Sequence, residues 1–195
     1  MRTFRCAPFL LLGLVFCHPW SPVAAQSKED LVCRTPGLPA SVASRLKAEY
    51  SSWRVHTGAD LSPKARKDWE YKKYWKPSEC PGFATGRFTN TQASYAFLLV
   101  PVDRPNTAYT LVVFSRSGRE NAYQMTVIEK GDSANSRDVF IRSVKVRDFF
   151  DKRSQEQFKP EGAEGILIVE SGEQQSGADV FFSTKNGYRR EPVEY

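Results

Sequence analysis

A mainly β fold of the α+β class is predicted: an antiparallel meander or small open sandwich of about seven or eight strands, with one or two N-terminal helices packed on it. Three observations predict it. Two runs, Tyr-Ala-Phe-Leu-Leu-Val at 95–100 and Tyr-Thr-Leu-Val-Val-Phe at 109–114, are rich in β-branched and aromatic residues and flank a turn-forming segment at 101–107. From Cys80 to the end, short apolar runs alternate with turn signals. The clearest helical periodicity lies before Cys80, from Pro39 to Trp53.

The two strongest runs are almost continuously apolar instead of alternating, so they are expected in the middle of a sheet covered on both faces. Residues 40–52 carry Val42, Leu46 and Tyr50 at intervals of four, with Ser41 as a cap and Trp53 anchoring the exit, which predicts an amphipathic helix lying on the sheet. Ser62-Pro63 reads as an N-cap followed by proline at the first helical position. Further strands are expected at 83–88, 94–100, 108–115, 122–129, 139–145, 165–170 and 178–184, with a short last one at 188–190. Asn186-Gly187 suits a two-residue type I′ hairpin turn. Residues 146–158, punctuated by Phe149, Phe150 and Phe158, read as a short helix or an ordered loop.

Arg2 and Arg5 precede an apolar run from Ala7 to Cys17, and Val23-Ala24-Ala25 supplies small residues for cleavage before Gln26. Residues 1–25 therefore read as a signal peptide, too short in its apolar part to span a bilayer. Residues 26–79 form an N-terminal helical segment, and residues 80–195 an antiparallel β region joined with it in one domain. Two of the 28 basic residues and none of the 22 acidic ones lie in the leader, so the mature chain carries +4, a mild balance that does not by itself indicate nucleic acid. Export to the periplasm or the cell exterior is expected, with no transmembrane segment after cleavage.

Cys33 and Cys80 remain in the mature chain, and in an exported domain two cysteines are most simply a disulfide. Two cysteines and one mature histidine, His56, match no zinc spacing.

Residues 64–76 hold six basic, two acidic and four aromatic residues in thirteen positions. Lys64, Arg66, Lys67, Trp69, Tyr71, Lys72, Lys73, Tyr74, Trp75 and Lys76 form the candidate contact surface, for an unknown protein or an anionic envelope polymer. Single-stranded nucleic acid would also use interleaved bases and rings, but an exported protein seldom meets it. A solvated face explains the same composition: rings pack inward while lysine stems cover them.

At Cys80 to Leu99 the chain resembles exported bacterial proteins with an FG-GAP or VCBS-type repeat: Gly86 and Phe88 match the opening of that repeat's loop and Ala96 to Leu99 its strand. The helix ending in Trp53 and the segment from Ala178 to Tyr188 are also similar to single-domain members of that group. The resemblance implies a calcium loop, yet Arg87 stands where the first aspartate belongs, and Thr89, Asn90, Thr91 and Gln92 supply no carboxylate. No metal or other cofactor is carried over, and the length excludes a closed propeller.

Catalytic patterns are thin. Ser44-Arg-Leu-Lys47 has the Ser-x-x-Lys spacing without companion motifs, and His56, the histidine a Ser-His-Asp site would need, reads as a surface loop residue. Residues 131–136 read as a polar hairpin turn, since their spacing fails for calcium. Glu161, Glu164, Glu170, Glu173 and Asp179 lie near one another in sequence, where paired carboxylates could support glycoside hydrolysis. The sequence therefore favours a non-enzymatic exported binding or structural module of the cell envelope. The alternatives are a small envelope hydrolase using the acidic cluster, and a periplasmic inhibitor of another enzyme built on the 101–107 loop.

Overall fold

The structure of the protein, a computed structural model, describes residues 33, 37–71, 80–89, 92–117, 122–132, 134–172 and 176–194. The expected leader and the segment 72–79 lie outside them. Among the described residues are nine strands in two antiparallel sheets.

The first sheet is built on β3 (Ser94–Pro101) and β4 (Ala108–Ser117), paired antiparallel as the hairpin reading predicts, with β5 (Ala122–Asp132) outside β4. The free edge of β3 is shared by two short strands end to end: β1 (Trp53–Val55) pairs with residues 99–101 and β2 (Phe83–Gly86) with residues 94–97. The second sheet is a meander of β6 (Val139–Lys145), β7 (Glu164–Ser171), β8 (Ser176–Thr184) and β9 (Gly187–Val193).

Three apolar clusters explain why these strands read as continuous apolar runs. Between the sheets, Ala96, Leu98, Val100, Leu111 and Val113 meet Ile141, Ile166, Ile168 and Phe181. The alternate residues of the same strands, Phe97, Leu99, Val112 and Phe114, point the other way and are covered by Val42, with Leu46 and Tyr50 beside it. Outside the second sheet, Phe140, Leu167, Val169, Val180 and Phe182 pack under Leu61, Ala65 and Trp69. The order of layers is therefore helix, sheet, sheet, helix.

The first helix, α1, is Ala40–Glu49, shorter than the expected 40–52, and Pro39 stands at its N-cap position with no side-chain cap. It stops because Tyr50 leaves helical geometry (φ −127°) and Trp53 is claimed by β1, opposite Pro101. The second helix, α2 (Pro63–Tyr71), starts as read: the Ser62 hydroxyl accepts the Ala65 N–H at 3.2 Å. Residues 146–158 form a 3₁₀ turn (Val146–Asp148) and then α3 (Lys152–Phe158), capped by Asp151, whose carboxylate accepts the Ser154 N–H at 2.7 Å.

At the β8–β9 hairpin the register corrects the turn reading. Thr184 pairs with Gly187, so Lys185 and Asn186 form the loop, and only Gly187 has a positive φ (+106°). A type I′ turn at Asn186-Gly187 would require positive φ at both. The Thr184 hydroxyl instead donates to the Gly187 carbonyl at 2.9 Å and accepts from Asn186 N–H at 3.3 Å.

Candidate functional site

His56 lies where β1 ends and β2 begins, at the seam between the two short strands on the edge of β3. Its N–H donates to Leu98 O at 2.9 Å, and the Leu98 N–H donates to Gly82 O at 2.9 Å. The ring is fully buried, with Nε2 2.9 Å from the Ser136 carbonyl. Since that carbonyl can only accept, Nε2 carries the proton and Nδ1 is bare; Nδ1 has no hydrogen-bond partner. The surface-loop reading of His56 is thus overturned: β1, unread in the sequence, pulls the residue into the sheet. Burial pushes its pKa down to about 4, with nearby Asp60 opposing that shift. A ring so enclosed has no access to substrate.

The sulfurs of Cys33 and Cys80 are bonded, with Cα atoms 5.0 Å apart, and both lie over the His56 carbonyl, at 3.9 and 3.4 Å. Asp60, in the 3₁₀ turn that follows, takes both terminal nitrogens of Arg54 at 2.6 and 2.5 Å, together with Thr57 N–H at 2.8 Å. Burial opposes its charge, but the Arg54 guanidinium and the Thr57 N–H hold its carboxyl below the usual range. This corner is a structural joint.

The acidic cluster is divided by the fold. Glu161 accepts from the Ser183 hydroxyl at 3.0 Å, and Glu164 accepts from Arg87 N–H at 2.7 Å; Glu173 lies outside the described residues. Asp179, however, meets partners that the sequence reading missed. Arg190, on β9, bonds Asp179 at 2.6 Å and Glu129, from the other sheet, at 2.8 Å. The Tyr109 hydroxyl donates to the same Glu129 oxygen at 3.4 Å, and Glu170 adds its charge nearby. Burial raises the Glu129 pKa, Arg190 opposes the rise, and the charges of Glu170 and Asp179 add to it. Burial, and then Glu129, likewise drive the Tyr109 phenol upward. The side chains of Glu129 and Asp179 are 15 and 17% exposed, so this polar group sits just inside the seam between the sheets. It can hold or exchange a proton, and its one cation is already shared between two carboxylates.

Among the described residues of the basic segment, Lys64, Arg66 and Trp69 are committed to the fold. Trp69 is 5% exposed and packs in the outer core of the second sheet, so it is not a contact residue. Lys64 bonds Asp68 and Ser171 at 3.1 Å and Ser176 at 3.2 Å, and Arg66 donates to Gly58 O at 2.5 Å. Lys67 is exposed, with Glu70 exposed on the same helix; Tyr71 is the helix's last residue. Lys72, Lys73, Tyr74, Trp75 and Lys76 lie outside the described residues. Ser44 and Lys47 are both exposed on α1. Among the described residues, no group of three or more His, Cys, Asp or Glu is placed to hold a metal ion, and no helix is long and apolar enough to cross a membrane.

The fold and site define a two-sheet, mostly β protein with a polar bridge across its seam. No family model matches the chain, and neither a curated protein nor a solved structure does.

Proposed function

We propose that the protein is an exported, non-enzymatic binding or structural module of the cell envelope, a reading that also rests on the resemblance at Cys80 to Leu99. The observation that carries it is the commitment of its chemistry-bearing groups to the fold: His56 is walled in under the disulfide, and Asp179 and Glu129 are both tied to Arg190. A contact surface then has to come from the exterior: Lys67 is exposed on α2, and the sequence that follows the helix adds the basic residues Lys72, Lys73 and Lys76 as candidate charge for an anionic polymer or protein. Pull-down from an envelope extract tests this, with Lys72→Glu, Lys73→Glu and Lys76→Glu combined in the control. Recovery should drop at least tenfold with the control; equal recovery removes the basic segment from the contact.

A second reading, a small envelope hydrolase, is favoured by one observation: Glu129 and Asp179 converge on a single guanidinium near the surface. Release of new reducing ends from envelope glycans by the wild type, and not by Asp179→Asn, would establish it.

A further inference from the structure

The outer face of the first sheet is covered by α1 at one end; at the other it carries half-buried aromatic rings. Phe83 on β2 and Tyr95 on β3 lie nearly parallel, centroids 6.5 Å apart and planes 12° apart. Tyr95 and Tyr123 of β5 are 5.6 Å apart at 53°. The rings thus lie across the strands on one face, in one apolar cluster with the buried Phe97 and Phe114 and with Met125. Tyr123 is paired in register with Arg116 of β4, whose side chain therefore rises on the same face. Its Nε is buried without a hydrogen-bond partner, and no carboxylate of the described residues pairs with it. The charge of Arg116 reaches Tyr95, the ring beside it.

Half-buried rings grouped on one sheet face suit a ligand with apolar patches bearing slightly positive C–H groups, since ring faces carry the negative end of the aromatic quadrupole. Sugar rings present such faces, and phenol hydroxyls at the rim accept and donate to sugar hydroxyls. A guanidinium with no carboxylate partner among the described residues adds a preference for carboxylate, which it can grip with two parallel N–H bonds. We propose that this face, Phe83, Tyr95 and Tyr123 with Arg116, binds a chain of acidic polysaccharide, its sugars stacked on the rings and a uronate carboxylate on Arg116. The inference rests on the reading of the protein as an envelope binding module and adds to the basic segment a second surface, with the ligand class that this second surface takes.

The test is titration of the full mature chain with polygalacturonate, with its methyl-esterified form, which keeps the sugars and loses the charge, and with single-stranded poly-dT. Polygalacturonate should bind tightest. The double variant Tyr95→Leu/Tyr123→Leu, which keeps apolar area but removes the flat rings, should bind at least tenfold more weakly with an unchanged melting temperature. Arg116→Gln should weaken binding of polygalacturonate at least fivefold and leave that of the ester unchanged. Absence of polygalacturonate binding, wild-type binding by both variants, or tighter binding of poly-dT each overturns the proposal. Polysaccharide binding lost only in the Lys72, Lys73 and Lys76 charge reversal overturns this surface and leaves the module reading standing. New reducing ends from polygalacturonate, with the Tyr variants still binding weakly, overturn the non-enzymatic reading and leave the surface standing.

Discussion

Arg190 in one sheet bonds Glu129 in the other, Nη1 to Oε1 at 2.8 Å, while its second terminal nitrogen holds Asp179 of its own sheet at 2.6 Å. One guanidinium therefore pins the seam and offsets two carboxylates. Removing it in Arg190→Met should cost about 1–2 kcal/mol, between the small worth of an exposed pair and the larger loss from a buried one, because Arg190 itself is 48% exposed. The Glu129 carboxyl, already raised by burial and relieved by Arg190, should titrate still higher. A carboxyl raised in the folded state makes stability fall as pH climbs through that value, since the unfolded chain then holds fewer protons. The variant should deepen that fall. Urea midpoints against pH and a carbon NMR titration of Glu129 check this; an unchanged titration would remove Arg190 from the account.

His56 sets a pH dependence of opposite sign. Its pKa drops from 6.5 unfolded to about 4 folded, so the unfolded chain binds a proton first as pH falls. Its contribution to stability is complete above pH 6.5 and is lost progressively down to about pH 4, by on the order of 3 kcal/mol. Carboxylates such as Asp60, held low, act further down in pH. The slope of the urea midpoint between pH 6.5 and pH 4 should shrink in His56→Gln even if that variant is less stable throughout. An equal slope in both proteins would sink the assignment.

The sheets were legible where burial acts on both faces of a strand. Phe97 and Leu98 point to different cores, and only a doubly covered strand tolerates both, so the apolar run at 95–100 was decisive. Trp53–Val55 was not legible: three half-buried residues give no period, and Trp53 continues the helical spacing of Tyr50. His56 was misplaced for that reason. The Glu129–Arg190 bridge joins residues 61 apart in sequence across two sheets, and no local pattern encodes how sheets stack. Its signal was a charged residue at an inward-facing register position, Arg190 opposite Phe181.

The disulfide closes a span of 47 residues, from Cys33 to Cys80. In the chain-entropy account that cross-link is worth about 4 kcal/mol through the unfolded state. The Cys33→Ala/Cys80→Ala double variant should lose stability of that order, and adding reductant to the wild type should reproduce the loss. A melting temperature unmoved by both changes would mean that the cystine does not constrain the fold.

Gly82 is where the joint is tightest. It lies between Cys80 and β2, its carbonyl accepts from Leu98 N–H, and a Cβ added there would sit 2.3 Å from the His56 carbonyl oxygen and 2.8 Å from the His56 Cβ. The obstacle is backbone already fixed by β3 on one side and by the cystine on the other, so it cannot swing aside as a flexible side chain would. Gly82→Ala should therefore destabilise by about 1–3 kcal/mol through overpacking, despite the entropy that alanine removes from the unfolded chain. Gly177, on β8, has no atom within 4 Å of its Cβ position, and Gly177→Ala should stay within about 0.5 kcal/mol of the wild type. Melting both variants beside the wild type separates crowding at the joint from any general effect of replacing glycine. Equal stability of the two would show that the seam between β1 and β2 yields where the packing says it is rigid.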